Sequence, residues 1–219
     1  MPSFPCSAIL FDLDGVLVDS TRCVERQWRI WAAEHNLDPL RLLEVAHGRR
    51  TSETIQIVAP HLNAQAEVDI VESREAEDTD GVMVMPGAQQ LVRSIPDKHW
   101  AVVTSGTRLL ATARLKLAEI PLPSVLVTAE DVTNGKPSPE PYERGARLLG
   151  ARIEDCVVIE DAPAGIESAK RAGARVIALA STFPPSELRS ADAVVESLTK
   201  LSVKLREKME IEFLIKDVI

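Results

Sequence analysis

The sequence predicts an α/β fold, a doubly wound parallel sheet carrying a small inserted all-helical unit, and three observations predict it. An apolar run, Ile9-Leu10-Phe11, stops at Asp12-Leu13-Asp14-Gly15. From Met85-Pro86-Gly87 onward, short apolar runs alternate with stretches of helical spacing, the pattern of strands buried by helices on both faces. Between these lies a block of roughly sixty residues with helical periodicity and no strand pattern, which reads as an insertion into the α/β unit. The expected division is a core of residues 1–18 and 82–219 with a helical cap over 19–81.

In chain order, the opening strand runs into Gly15, and Asp19 or Ser20 is placed to cap a helix through about His35. Its apolar positions Val24, Trp28, Trp31 and Ala32 recur at helical spacing. Asn36-Leu37-Asp38-Pro39 ends it. Three more helices are expected: Leu40 to Ala46, Thr51 to Val58 opening on a capping box, and Ala64 to about Asp78. The alternating region then predicts helix Ala88–Ser94, strand Trp100–Thr104, helix Thr107–Glu119 and strand Val125–Val127. It continues with helix Pro139–Leu149, strand Cys156–Ile159, helix Ala164–Ala172, strand Ala174–Ala180 and a short strand Ala193–Val195. Leu201, Leu205, Met209, Phe213 and Leu214 in the tail suggest a terminal helix packed on the body or on a second subunit.

At 219 residues and 45% hydrophobic, the chain can bury a full core. A net charge of −8 argues against nucleic acid or an anionic membrane as partner, and 4% aromatic content leaves few stacking platforms. A small anionic substrate would need local basic groups. No apolar run is long enough to cross a bilayer, and the start has no signal pattern, so a cytoplasmic, soluble protein is expected, monomeric or weakly dimeric. Cys6, Cys23 and Cys156 are scattered without ligand spacing and read as small packing residues.

A strand points residues i and i+2 to one face, so Asp12 and Asp14 leave the sheet together at its carboxyl end, where open α/β sheets bind ligands. Two carboxylates this close call for a cation or a shared proton. Later strands end in polar groups able to join them: Thr104-Ser105-Gly106 and Glu160-Asp161, with Gly135-Lys136-Pro137 in a loop between. Singly these are a helix cap, a solvated lysine and a helix start; in this order they form one site. A carboxylate attacking a phosphate monoester meets a second anion, and unit charges about 4 Å apart repel by roughly 4 kcal/mol at an effective dielectric of about 20. Lys136 and a divalent ion would supply the opposing charge.

These residues resemble the haloacid dehalogenase superfamily of phosphohydrolases, with its four motifs in order over Ile9 to about Phe183: Asp12-Leu13-Asp14-Gly15, Thr104-Ser105, Lys136 and Glu160-Asp161. The resemblance implies Asp12 as the nucleophile that becomes an aspartyl-phosphate, and Asp14 as general acid and then base. It implies Mg²⁺ held by Asp12, the backbone carbonyl of Asp14 and Asp161, with Glu160 beside them. Thr104, Ser105 and Gly106 would bind the phosphoryl oxygens and Lys136 would bridge Asp12 and phosphate. An all-oxygen donor set suits Mg²⁺; zinc would want His or Cys. The helical insertion is similar to the small cap of the sugar-phosphate branch, and several segments look similar to phosphatases of glycerol phosphate and deoxyglucose phosphate. In that cap, His47-Gly48-Arg49-Arg50-Thr51 would reach the substrate, with Arg49 or Arg50 gripping it and His47 and Thr51 nearby. Glu72 or Glu75 would meet its hydroxyls. The implied activity is Mg²⁺-dependent hydrolysis of a small sugar or polyol phosphate.

A β-phosphoglucomutase of the same branch shares the core motifs, but its first cap helix carries a histidine where alignment from Asp12 puts Val24, which favours a hydrolase. A signalling receiver also surrounds a phosphorylated Asp with acids, Thr or Ser and Lys. Receivers carry that Asp on a later strand and lack a helical insertion.

Overall fold

The computed structural model describes residues 2–46, 49–205 and 209–214. Strand β1 (Ser3–Cys6) leads into β2 (Ala8–Phe11) and then the short β3 (Val18–Asp19). Helices α1 (Thr21–Glu34), α2 (Pro39–Ala46), α3 (Thr51–Val58) and α4 (Ala64–Glu77) follow, and β4 (Met83–Val84) closes the excursion. The alternating part comprises α5 (Ala88–Arg93), β5 (Trp100–Val103), α6 (Arg108–Leu117), β6 (Leu126–Val127), α7 (Glu140–Leu148), β7 (Cys156–Glu160), α8 (Pro163–Ala172), β8 (Arg175–Leu179) and β9 (Ala193–Val195). Strands β10 (Leu201–Leu205) and β11 (Met209–Phe213) are the last elements among the described residues.

The main sheet has the order β6-β5-β2-β7-β8-β9, all parallel. Succession runs outward from β2 to one edge through β5 and β6, then returns to β7 on the other side of β2. The reversal opens a crevice beyond the carboxyl end of β2. Register makes this concrete: Phe11 lies opposite Val102 on one neighbour and Ile159 on the other, so Asp12, Val103 and Glu160 come next at one level. Alternation along β2 sends Ile9 and Phe11 into one apolar layer and Ala8 and Leu10 into the other.

Helices α1 to α4 bury a third core of their own around Trp28, Trp31, Leu42, Leu43, Ile55 and Val71, with the two tryptophans edge to face at 5.5 Å. Strands β3 and β4 pair antiparallel, Val18 opposite Val84 and Asp19 opposite Met83, so the chain leaves and re-enters the sheet-bearing body at one two-stranded ribbon.

Three local expectations are corrected. The tail is a β-hairpin rather than a helix: β10 and β11 pair antiparallel, and β11 also pairs with β1, giving a separate three-stranded sheet. A spacing of four, as in Leu201, Leu205 and Met209, fits both a helix and one face of a strand. Burial of Met209, Ile211 and Phe213 follows the strand period. Of the two residues placed to cap α1, Asp19 accepts the Thr21 N–H at 3.1 Å while the Ser20 hydroxyl donates to Asp14, and the Thr51 hydroxyl expected to cap α3 donates to Glu72 instead. The turn into α6 is made by Thr107, whose hydroxyl accepts from Leu110 N–H. All three cysteines are buried and free.

Candidate active site

The crevice gathers the strand ends. Lys136, brought in by the loop between β6 and α7, is 3% exposed and donates from Nζ to Asp12 Oδ1 at 2.5 Å, Glu160 Oε1 at 2.8 Å and the Val103 carbonyl at 3.2 Å. Burial works against its charge, but Asp12 and Glu160 outweigh that and hold its pKa well above the usual lysine value. Tyr142, the buried aromatic of α7, donates its hydroxyl to Glu160 Oε1 at 3.0 Å and lays its ring 5.0 Å from Lys136 Nζ. Glu160 Oε2 accepts the N–H groups of Asp161 and Ala162, each at 2.8 Å. Both Glu160 oxygens are therefore doubly engaged by the chain. Gly165 in the first turn of α8 makes room for them, since a Cβ there would fall inside the Glu160 carboxylate.

Carboxylate oxygens of Asp12, Glu160 and Asp161 lie within 4.8 Å of one another, all three residues buried. Burial pushes the Asp12 carboxyl up to about 7, Lys136 pulling down and Glu160 and Asp14 pushing further up. Burial, then Glu160 and Asp12, raise Asp161 well above the carboxylate range, against a hydrogen bond from Thr182. Three buried acids thus share one ammonium, and a cation is the missing charge. The donors are oxygens only, which fits a hard divalent ion; with Glu160 committed to Lys136 and Tyr142, Asp12 and Asp161 have the coordinating capacity.

Gly15 makes the turn after β2 with φ +79°, and its backbone passes so close to Asp161 and Thr182 that no side chain fits. Asp14 emerges beside it. Its Oδ1 accepts the Ser20 hydroxyl at 2.7 Å, and its Oδ2 pairs with Arg114 Nη1 at 2.7 Å. Thr104 ends the β5 run, its Oγ1 accepting Gly106 N–H at 3.1 Å. A cavity of about 120 Å³ joins Asp12, Asp14, Thr104, Ser105, Gly106 and Asp161 and is roofed by α1, α4 and Arg49.

The residues expected above the crevice divide. Arg49 is exposed and lines the cavity. Arg50 instead spans to the body, donating to the carbonyls of Val132 at 2.8 Å and Thr133 at 3.1 Å. Thr51 lines the cavity while bonded to Glu72 Oε1 at 2.6 Å. His47 lies outside the described residues. Arg108, at the start of α6, turns away to Asp131 at 2.6 Å. Sequence reading missed Arg114 and Tyr142. Arg114 had a signal: it interrupts the buried stripe Leu110, Ala111, Leu115 of α6 with a charge.

The comparisons agree with this geometry. The family described as haloacid dehalogenase-like hydrolase matches residues 6–173. Hexitol phosphatase A of Escherichia coli K12 is 42% identical over 90% of this chain and 94% of its own length. 2-Deoxyglucose-6-phosphate phosphatase 2 of Saccharomyces cerevisiae is 35% identical over 93% of this chain and 92% of its own. The crystal structure of a hydrolase from Pseudomonas syringae superposes with a TM-score of 0.79 at 26% identity, covering 89% of this chain and 95% of that one. Among the described residues, no helix is long and apolar enough to cross a membrane. With the Asp12 strand end, the buried lysine and the acidic pair in one crevice, the chain belongs to the haloacid dehalogenase-like hydrolase family and is a phosphoric monoester hydrolase.

Proposed function

We propose that the protein is a Mg²⁺-dependent phosphatase of small sugar or polyol monophosphates that works through an aspartyl-phosphate on Asp12. The observation that carries this reading is Lys136 Nζ at 2.5 Å from Asp12 Oδ1 inside a buried acidic cluster. It is the charge arrangement a carboxylate needs to approach a phosphoryl group.

In this reading an Asp12 oxygen attacks phosphorus and the P–O bond to the alcohol breaks, while Asp14 gives its proton to the departing oxygen. Asp14 then takes a proton from the water that attacks the aspartyl-phosphate, releasing inorganic phosphate and restoring Asp12. Thr104 and the N–H groups of Ser105 and Gly106 orient the phosphoryl oxygens, and Lys136 offsets their charge. Mg²⁺, held by Asp12, Asp161 and the Asp14 carbonyl with Glu160 behind, would supply further neutralisation of the phosphoryl group. Residues 19–81 act as the cap that excludes bulk water, and 1–18 with 82–219 as the catalytic core.

The charge around the cavity supports a substrate with one phosphate and a neutral hydroxylated remainder. Arg114 is engaged by Asp14 and Glu75, Arg50 by backbone carbonyls and Arg108 by Asp131, which leaves Arg49 as the cavity-lining arginine placed to meet substrate oxygens. A second anionic group would meet Glu72 and Glu75. That also speaks against a mutase, which must pass through a bisphosphate. The hexitol and deoxyglucose phosphatase relatives favour the same substrate class.

The test is phosphate release over a panel of hexitol, deoxyhexose, glycerol and nucleotide monophosphates, with and without Mg²⁺. Turnover of neutral polyol or sugar monophosphates only with the metal is expected. Conversion of β-glucose 1-phosphate to glucose 6-phosphate with a bisphosphate primer and without phosphate release would overturn the hydrolase reading.

A further inference from the structure

Helix α4 of the cap sets two carboxylates, Glu72 and Glu75, onto α6 of the core. Glu72 Oε2 accepts the Thr107 N–H at 2.8 Å, at the very start of α6. Glu75 Oε2 meets Arg114 Nη2 at 2.5 Å, two turns further along. Arg114 is 5% exposed, and its other terminal nitrogen is the one that holds Asp14 at 2.7 Å. One guanidinium therefore joins a carboxyl of the cap to the carboxyl that the hydrolase reading assigns to proton transfer. Its Nε is buried without a hydrogen-bond partner. For a group whose ordinary preference is a forked, fully satisfied pairing, that shows the side chain committed to spanning two acids rather than closing on one.

We propose that Arg114 is a positioning residue that ties Asp14 to the cap through Glu75, so that Asp14 is held in its working orientation only while α4 is seated on α6. Both terminal nitrogens of Arg114 are engaged by Asp14 and Glu75 rather than by Asp12, so it acts through Asp14. Ser20 fixes Oδ1 from the ribbon side, and Arg114 fixes Oδ2 from α6, leaving the carboxyl little rotational freedom. When the cap lifts, Glu75 withdraws and the guanidinium loses one of its two anchors, so substrate entry and proton-transfer geometry become linked through a single side chain. This role rests on the hydrolase reading above.

The test measures kcat and KM for a polyol monophosphate in Mg²⁺ for wild type, Arg114→Met, Arg114→Met with Glu75→Leu, Asp14→Asn and Arg114→Met with Asp14→Asn. A positioned acid/base group supplies about 10²- to 10⁴-fold, so Arg114→Met should lower kcat by about 10- to 100-fold with KM within about threefold. Arg114→Met with Asp14→Asn should be no slower than Asp14→Asn alone, because both changes disable the same group. The paired Arg114→Met with Glu75→Leu removes the guanidinium together with the more buried of its two carboxylate partners, and thermal unfolding checks that it is folded; it should stay slow. Recovery of kcat in that pair, or losses that multiply with Asp14→Asn, would mean that Arg114 only neutralises buried charge and would overturn the proposal. Wild-type enzyme that releases no phosphate from any monophosphate would instead overturn the hydrolase reading itself.

Discussion

Replacing Lys136 with methionine keeps most of the side-chain volume and removes only the ammonium. That ammonium is 3% exposed and holds two carboxylates, at 2.5 and 2.8 Å, in a cluster that also contains Asp161. Taking one partner from a buried ion pair leaves uncompensated charge at a cost of about 3–5 kcal/mol. Unfolding entropy near about 2.1 cal/mol/K per residue amounts to roughly 0.46 kcal/mol/K for 219 residues, so the melting temperature should fall by about 7–11 °C. Calorimetry on metal-free protein at about pH 7.5 reads this directly. The deficit should shrink in excess Mg²⁺, which supplies the missing charge, and again near pH 5.5, below the value of about 7 to which burial lifts Asp12. A fall of less than about 2 °C at pH 7.5 that neither Mg²⁺ nor acid alters would refute the idea that Lys136 is the counter-charge of the cluster.

Asp12→Asn cannot form the aspartyl ester, so kcat should drop by at least about 10³-fold while the far-ultraviolet spectrum is unchanged; ordinary turnover in that variant would remove the nucleophile assignment. Metal-free stability should decline as pH rises. Burial raises Asp12 and Glu75 to about 7, so the folded chain keeps protons that the unfolded chain releases near pH 4. Their contribution is full below about pH 4 and lost as pH passes about 7; melting temperatures that climb between about pH 5 and 8 would contradict it. Gly165→Ala drives a methyl into the Glu160 carboxylate and should cost about 2 kcal/mol or more together with activity, checked by thermal unfolding and phosphate release. An Ala variant equal to wild type in both would show that Glu160 is not confined there.

Much of this molecule is written in local pattern. The apolar runs at β2, β5, β7 and β8 alternate with helices, and the first three end in Asp12, Thr104 and Glu160-Asp161 at the face where a parallel sheet collects its ligands, so Asp12, Thr104 and Asp161 were placeable from chain order. Helices α1 to α4 announced themselves by spacing. The tail did not, because residues four apart satisfy either period until a partner strand exists, and for β11 that partner is β1 at the opposite end of the chain. The roles of Arg50, Arg114 and Tyr142 were equally out of reach. Arg50 reaches loop carbonyls more than eighty positions away, and Arg114 joins Asp14, one hundred positions before it, to Glu75, thirty-nine positions before it. What the sequence by itself determined is the set of strands, their polar ends and the insertion, because periodicity and strand termination are properties of neighbouring residues. Only the tertiary structure decided which charges neutralise which, since a guanidinium or an ammonium on a long flexible stem chooses its partners by where packed helices and crossing loops leave it.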